Sequence, residues 1–290
     1  MRIHTGLCTG FLLLSAVSMQ LYARKPAYRL YTGEGRKTTF EKLIDSAADA
    51  DVVLFGEQHD NPIAHWLQVE LLRSLYEGDR PLVLGAEMFE ADNQLILDEY
   101  LSGLISEERF EEEARIWNNY ETDYKPLVEF AKERGLVFIA TNIPRRYANA
   151  VFKQGMGILD SLGAEARKYI APLPVEYDTT LPAYSDLRGG GGMAGHGSPN
   201  LADAQAVKDA TMAHFILENR DRGELFLHFN GSYHSDHYQS INWFLKRSEP
   251  ALRIVTISTV SQDDIGSLEE EYRGQADFII CVPSAMTKTY

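Results

Sequence analysis

From residue 51 onward, short runs of β-branched and other apolar residues alternate with longer segments in which apolar positions recur at helical spacing. That alternation predicts βαβ units around a parallel sheet. Strands are predicted at 51–55, 82–86, 136–140, 225–229, 253–258 and 278–282. Asn61-Pro62 opens a helix running to about Tyr76, with Trp66, Val69 and Leu72 on one stripe and Pro62 where its missing N–H costs nothing. Further helices are predicted at 92–102, 106–117, 124–134, 145–152, 203–219 and 237–246. With no internal repeat and no linker, the chain from residue 24 to 290 reads as one α/β domain. Its expected architecture is a mainly parallel sheet flanked by helices, with a helical insertion and a long loop.

That loop, 171–200, breaks the rhythm: it holds Pro172, Pro174, Pro182 and Pro199, the tyrosines Tyr177 and Tyr184, then Arg188, four consecutive glycines and His196 between two more. A structureless segment of this length inside a domain is either functional or disordered. Two tyrosines and a histidine among glycines favour a lid or a ligand loop.

The first 23 residues form a separate unit. Arg2 and His4 precede an apolar run from Leu7 to Val17, and small or polar residues follow to Ala23. This is the plan of a secretory signal, with cleavage expected after Leu21-Tyr22-Ala23 and residence in the periplasm or at the outer membrane or cell surface. The run is shorter than the ~20 residues a membrane span needs, and no transmembrane segment is expected elsewhere.

Charge narrows the partners. Twenty-eight Lys and Arg against 42 Asp and Glu give −14, which repels a phosphate backbone, so nucleic acid is excluded as a natural partner. Only Cys8 and Cys281 are present, too few for a disulfide framework or a four-cysteine zinc site. Any metal must be held by His, carboxylate or Tyr.

Chemistry gathers after the strands. The predicted strand at 51–55 runs into Gly56-Glu57-Gln58-His59, that at 82–86 into Glu87-Met88-Phe89-Glu90, that at 136–140 into Thr141-Asn142-Ile143-Pro144-Arg145-Arg146, and that at 225–229 into Asn230-Gly231-Ser232-Tyr233-His234. In a parallel sheet these carboxyl ends share one edge, where ligands bind in open α/β folds. Gly56-x-x-His59 and Gly231-x-x-His234 repeat one spacing, and glycine at such exits allows positive φ or close backbone approach. Two imidazoles with Glu57 or Glu87 make a ligand set for Zn or Mn, and His237 is placed to join His234 on one metal. A metal-bound water there would hydrolyse an ester or amide, with Glu57, His59, Glu87 and His234 as the catalytic set. His65, His214 and His228 read as core or surface histidines. Glu57 and Glu87, next to apolar residues, need donors, and Arg145 and Arg146 are the nearest in the pattern. The glutamates at 107, 108 and 111–113 read as a solvated helix face.

These motifs, with Asn142-Ile143-Pro144-Arg145 and Lys208-Asp209-Ala210-Thr211-Met212-Ala213, resemble the ChaN family of haem-binding, iron-regulated exported proteins, over roughly residues 40 to 282. The family is grouped with Tiki, TraB and the erythromycin esterases, in which paired Gly-x-x-His motifs and a glutamate serve hydrolysis. The resemblance implies an α/β domain that takes haem, a tyrosine on iron, a homodimer enclosing two haems face to face, and a role in haem or iron acquisition. Phenolate is a hard anionic oxygen suited to ferric haem. Within the loop, Tyr184 is the expected iron ligand and Tyr177 the second candidate. His196, Arg188, Lys208 and Arg145 are the expected propionate partners or alternative ligands. Haem binding is thus the first expectation and metal-dependent hydrolysis the alternative.

Overall fold

The computed structural model describes residues 25–188 and 199–290. The export segment, the glycine run and His196 lie outside the described residues. Seven strands form one sheet in the order β1-β7-β6-β2-β5-β3-β4. They are β1 (Arg29–Thr32), β2 (Val52–Glu57), β3 (Leu82–Glu90), β4 (Val137–Asn142), β5 (Leu225–Gly231), β6 (Ile254–Gln262) and β7 (Phe278–Pro283). Only β1 runs antiparallel, on the edge against β7. The six predicted strands are all present, and most of them extend further into their polar exits than the apolar runs suggest. Glu57, Glu87, Glu90, Asn142 and Gly231 are therefore strand residues; Glu57 is in register with Gly231 and Glu90 with Asn142, while Glu87 lies in the irregular stretch of β3 between Ala86 and Glu90. Strand β1 and helix α1 (Phe40–Asp49) were not expected.

The central strands are apolar because both of their faces are covered. Val53 and Phe55 of β2 pack with Leu67 and Leu71 of α2 (Pro62–Tyr76), Leu84, Phe138 and Phe229. Val52 and Leu54 point the other way, to Met212, Ile216, Phe226, Ile241 and Leu245. This alternation fixes which face each exit residue takes when it leaves the sheet. Asn61 caps α2 as its sequence promises, its Oδ1 accepting from the N–H groups of Ile63 and Ala64.

The helical insertion comprises α3 (Gln94–Leu101), α4 (Glu107–Glu113) and α5 (Lys125–Arg134), the last entered through a π-helical turn at Tyr120–Tyr124. Then come α6 (Arg145–Gln154), α7 (Pro182–Arg188), α8 (Leu201–Glu218) and α9 (Ile241–Ser248). The expected loop is thus partly helical: α7 sits against α8, with Tyr184 buried beside Ala202 and Ala206. The helix expected from residue 237 starts at Ile241, because His237, Tyr238 and Ser240 hold φ of 56°, 59° and 52°, which no helix allows.

Candidate functional site at the carboxyl edge

The exits of β2, β3, β4 and β5 open into one cleft of about 620 Å³, within the range of cofactor sites. Glu57, His59, Glu87, Asn142 and His234 all line it, so the convergence expected from the strand ends is present. Both glycines serve close approach and not positive φ. A Cβ on Gly56 would meet the Ile257 carbonyl oxygen at 2.8 Å, and one on Gly231 would meet the His59 ring at 2.8 Å.

Glu57 is buried and saturated with donors. Tyr124 donates to its Oε1 at 2.7 Å, His59 Nδ1 lies 2.9 Å from the same oxygen, and His65 Nδ1 lies 3.3 Å from Oε2. Gln68 donates to Oε2 at 2.5 Å. Burial alone would raise this carboxyl, but the two histidines overcome it and bring it down to about 2. His59 is likewise raised above its ordinary value: burial opposes the charge, while Glu57 and Glu87 outweigh burial.

A second buried array lies across the cleft. His234 Nε2 sits 3.2 Å from Glu87 Oε1, its Nδ1 lies 2.5 Å from Asp209 Oδ1, and Tyr184 donates to Asp209 Oδ2 at 2.8 Å. The Gly231 N–H donates to Glu87 Oε2 at 2.7 Å. Both nitrogens of His234 face acidic side chains; burial pushes the Asp209 carboxyl above its ordinary range although His234 opposes that shift. Burial works against a charge on the His234 ring, yet Glu87 and Asp209 raise its pKa to about 10. Glu87 is correspondingly held far below the ordinary carboxylate range: burial alone would raise it, and His234 outweighs burial. As found, His234 offers no lone pair to a metal.

The arginines go elsewhere than the sequence suggested. Because β3 continues to Glu90, that carboxylate reaches the end of β4 and accepts Arg145 Nε and Arg115 Nε, each at 2.9 Å. Asp92 takes Arg146 and the remaining arm of Arg115. Glu57 and Glu87 are left to the histidines. Three guanidiniums on two carboxylates leave positive charge at this rim, and Arg145 lines the cleft. Lys208 lines it too and has no ion pair among the described residues. Trp117, Ile143, Ala148, Leu187 and Leu201 supply an apolar lining, with the Trp117 ring 4.9 Å from that of His59.

The remaining expected residues are placed as follows. Tyr184 is 0 % exposed, with its phenol on Asp209 and not toward the cleft. Tyr177 donates to Asp203 and accepts from Arg188 Nη2 at 2.9 Å, outside the cleft lining. His237 is exposed and lines a separate hollow beside Pro182 and Gln239, so it does not share a ligand position with His234. Among the described residues the three-carboxylate group that does converge is Glu107, Glu111 and Glu121, gathered around the Lys125 ammonium.

Several contributors were not singled out from the sequence. Tyr233, 43 % exposed, is the tyrosine that lines the cleft, and its hydroxyl donates to the Ala183 carbonyl. Its position beside His234 was a usable signal. Asp209, Gln68, Tyr124 and Asp123 sit in helices or a π turn, where spacing says nothing of their partner; Asp209 entered only within the 208–213 motif, and Gln68 lies one helix on from Glu57.

Comparison with known proteins places the chain by family and fold. The family model described as "Haem-binding uptake, Tiki superfamily, ChaN" matches residues 43–245. The solved structure of ChaN of Campylobacter jejuni, described with cofacial haem binding, superposes with a TM-score of 0.66 at 18 % identity, covering 87 % of this chain and 96 % of that one. An erythromycin esterase, EreC, superposes with a TM-score of 0.50 at 12 % identity, covering 90 % of this chain and 98 % of that one. At these identities the likeness is one of fold. RETICULATA-RELATED 5, a chloroplastic protein of Arabidopsis thaliana, is 26 % identical over 200 residues, 64 % of this chain. The match spans about a quarter (26 %) of that relative's length.

Proposed function

Since the chain belongs to the haem-binding uptake family of ChaN, within the Tiki superfamily, we propose that it binds haem in the cleft at the carboxyl edge of the sheet and serves haem or iron acquisition after export. The observation that carries this is the composition of one cavity: an apolar lining, two cations at the rim and an accessible phenol, in a protein of net charge −14. Those are the needs of a planar apolar ligand with two carboxylates and a ferric centre that takes an anionic oxygen. Arg145 and Lys208 would hold the propionates. Trp117, Ile143 and Leu187 would cover the ring.

Tyr233 is the better placed oxygen donor. Tyr184 would have to leave a buried carboxylate, which costs about 1.5–3 kcal/mol per charged hydrogen bond. Tyr233 would give up a half-exposed bond to a carbonyl. The alternative, a Zn or Mn hydrolase on His59 and His234, is supported less, because His234 would first have to surrender Glu87 or Asp209. A second copy over the open mouth would shield the ligand, as a homodimer, and no helix among the described residues is long and apolar enough to cross a membrane.

Titration of the protein with hemin tests the reading through the Soret band. Tyr233→Phe is expected to abolish the ferric phenolate charge-transfer band and lower affinity about tenfold, with melting temperature unchanged, while Tyr177→Phe leaves the spectrum as it is. If Tyr233→Phe keeps the band and Tyr184→Phe loses it without unfolding, the ligand is Tyr184 and the loop rearranges on binding. A wild-type protein with no saturable Soret change overturns haem binding itself.

A further inference from the structure

Glu90 has no role in the ligand assignments above, yet it decides how Arg145 meets the cleft. The carboxylate is 5 % exposed, and its register with Asn142 puts it at the end of β4, three residues before Arg145. Its Oε1 accepts from Arg145 Nε and its Oε2 from Arg115 Nε, each at 2.9 Å. In both pairs only the inner nitrogen of the guanidinium is used. Arg115 then spends an outer nitrogen on Asp92, and Arg146 spends its two on Asp92 and the Tyr147 hydroxyl. Arg145 does not. Among the described residues its Nη1 and Nη2 have no hydrogen-bond or ion-pair partner, and its side chain is 69 % exposed where it lines the cleft.

Two outer N–H groups of one guanidinium form a flat fork that matches the two oxygens of a carboxylate. A fork on a long exposed stem normally loses rotamer freedom when it closes on a ligand, and a tether at Nε removes part of that cost beforehand. The backbone favours the same charge. Arg145 opens α6, whose first turn carries no acidic residue and no side-chain cap, so the positive end of the helix lies beside the fork.

We propose that Glu90 is a positioning residue: by tethering Arg145 at Nε it aims both outer nitrogens into the cleft as a fork for one ionised propionate, so that the site selects porphyrin acids over their esters. The proposal rests on the haem reading, and metal-free porphyrins separate the two, since the fork reads the carboxylate and not the iron. The protein is titrated with protoporphyrin IX and with hemin, each beside its dimethyl ester in the same mixed solvent, and binding is followed by fluorescence and by the Soret band. The wild type is expected to prefer each acid by about tenfold or more, tenfold being near the lower end for one charged hydrogen bond. Glu90→Gln keeps the size and one acceptor oxygen but not the charge. It should lower the acid-to-ester ratio several-fold and leave affinity for the ester unchanged, which a merely structural role would not do. Arg145→Lys keeps the charge as a single point and should lower the ratio likewise. Once Arg145 is glutamine, Glu90→Gln should have nothing left to remove. Arg115→Gln, which takes away the other guanidinium on Glu90, should leave the ratio as it is. A wild type that binds acid and ester equally overturns the proposal and leaves haem binding standing. An acid preference with no Soret change for hemin overturns the iron reading alone, and a protein that takes none of the four ligands overturns both. An unchanged ratio in folded Glu90→Gln overturns the positioning role. Should that variant fail to fold, Glu90→Asp keeps the charge but falls short of Nε, and an unchanged ratio there decides against the tether in the same way.

Discussion

Replacing Asp209 by alanine is expected to cost about 3–5 kcal/mol of folding stability, the range for removing one partner of a buried ion pair. Asp209 is fully buried and holds two donors, His234 Nδ1 at 2.5 Å and the Tyr184 hydroxyl at 2.8 Å. Alanine leaves both without an acceptor in a site water does not reach, and it releases α7, the helix that carries Tyr184. Asparagine retains one acceptor and should cost about half as much. The pH dependence carries the same signature. His234 is raised from an ordinary 6.5 to about 10, so its stabilisation is complete below pH 6.5 and is lost as pH climbs toward 10. His65, raised to about 9, adds to that alkaline loss. Glu87, lowered from 4.5, contributes above that value and loses its share as pH falls below it. Urea unfolding from pH 4 to 10 should show a plateau falling at both ends. In Asp209→Ala the alkaline fall should shrink, because one of the two carboxylates that raise His234 is gone. A variant within 1 kcal/mol of wild type, or one with an unchanged alkaline limb, contradicts the charged bridge.

How much of this was legible in the chain depends on the length scale of each signal. The parallel sheet was readable because central strands buried on both faces leave near-continuous apolar runs, as in 52–55 and 225–229. The convergence of His59, Glu87, Asn142 and His234 followed from topology alone, since all parallel strands deliver their ends to one edge. Edge strand β1 escaped notice because four residues with two outward positions carry little pattern. The pairing of donors escaped for a different reason. Whether Glu57 meets Arg145 or His65 depends on a few ångströms of strand length: β3 runs on to Glu90, which takes the arginines, and α2 turns His65 back under Glu57. Tyr184 illustrates the same limit. A tyrosine among prolines and glycines looks free in sequence, but α7 presses it into α8, where Asp209 one helical stripe along takes its hydroxyl. Composition was sound about sign and uninformative about place, because an acidic total of −14 coexists with a basic rim made of Arg115, Arg145 and Arg146.

Gly231→Ala should weaken hemin binding on the order of a hundredfold, the upper part of what misplaced supporting groups cost at metal sites, while stability falls by about 1.5–3 kcal/mol, the cost of one charged hydrogen bond. The backbone is not the obstacle: Gly231 has φ −59° and ψ 141°, ordinary extended geometry for any residue. Space is. An added Cβ would lie 2.8 Å from His59 Cε1 and 2.9 Å from Nε2, closer than carbon and nitrogen tolerate. Glu87 Oε2, which the Gly231 N–H holds, would be at 3.5 Å, an ordinary contact. The strand is held at this point, since Gly231 is in register with Glu57 of β2 and its N–H donates to Glu87 Oε2. His59 must therefore swing off Glu57, taking Nε2 out of the cleft. If that is the whole effect, the two sites are coupled, and alanine at 231 should do little once His59 is already alanine. The double-mutant cycle reads this directly: the coupling expected for groups in contact is about 0.5–3 kcal/mol in hemin affinity. Additive losses would mean that Gly231 serves the cleft by some route other than room for His59. A Gly231→Ala protein that binds hemin as the wild type does would show that the His59 ring has no part in holding the ligand.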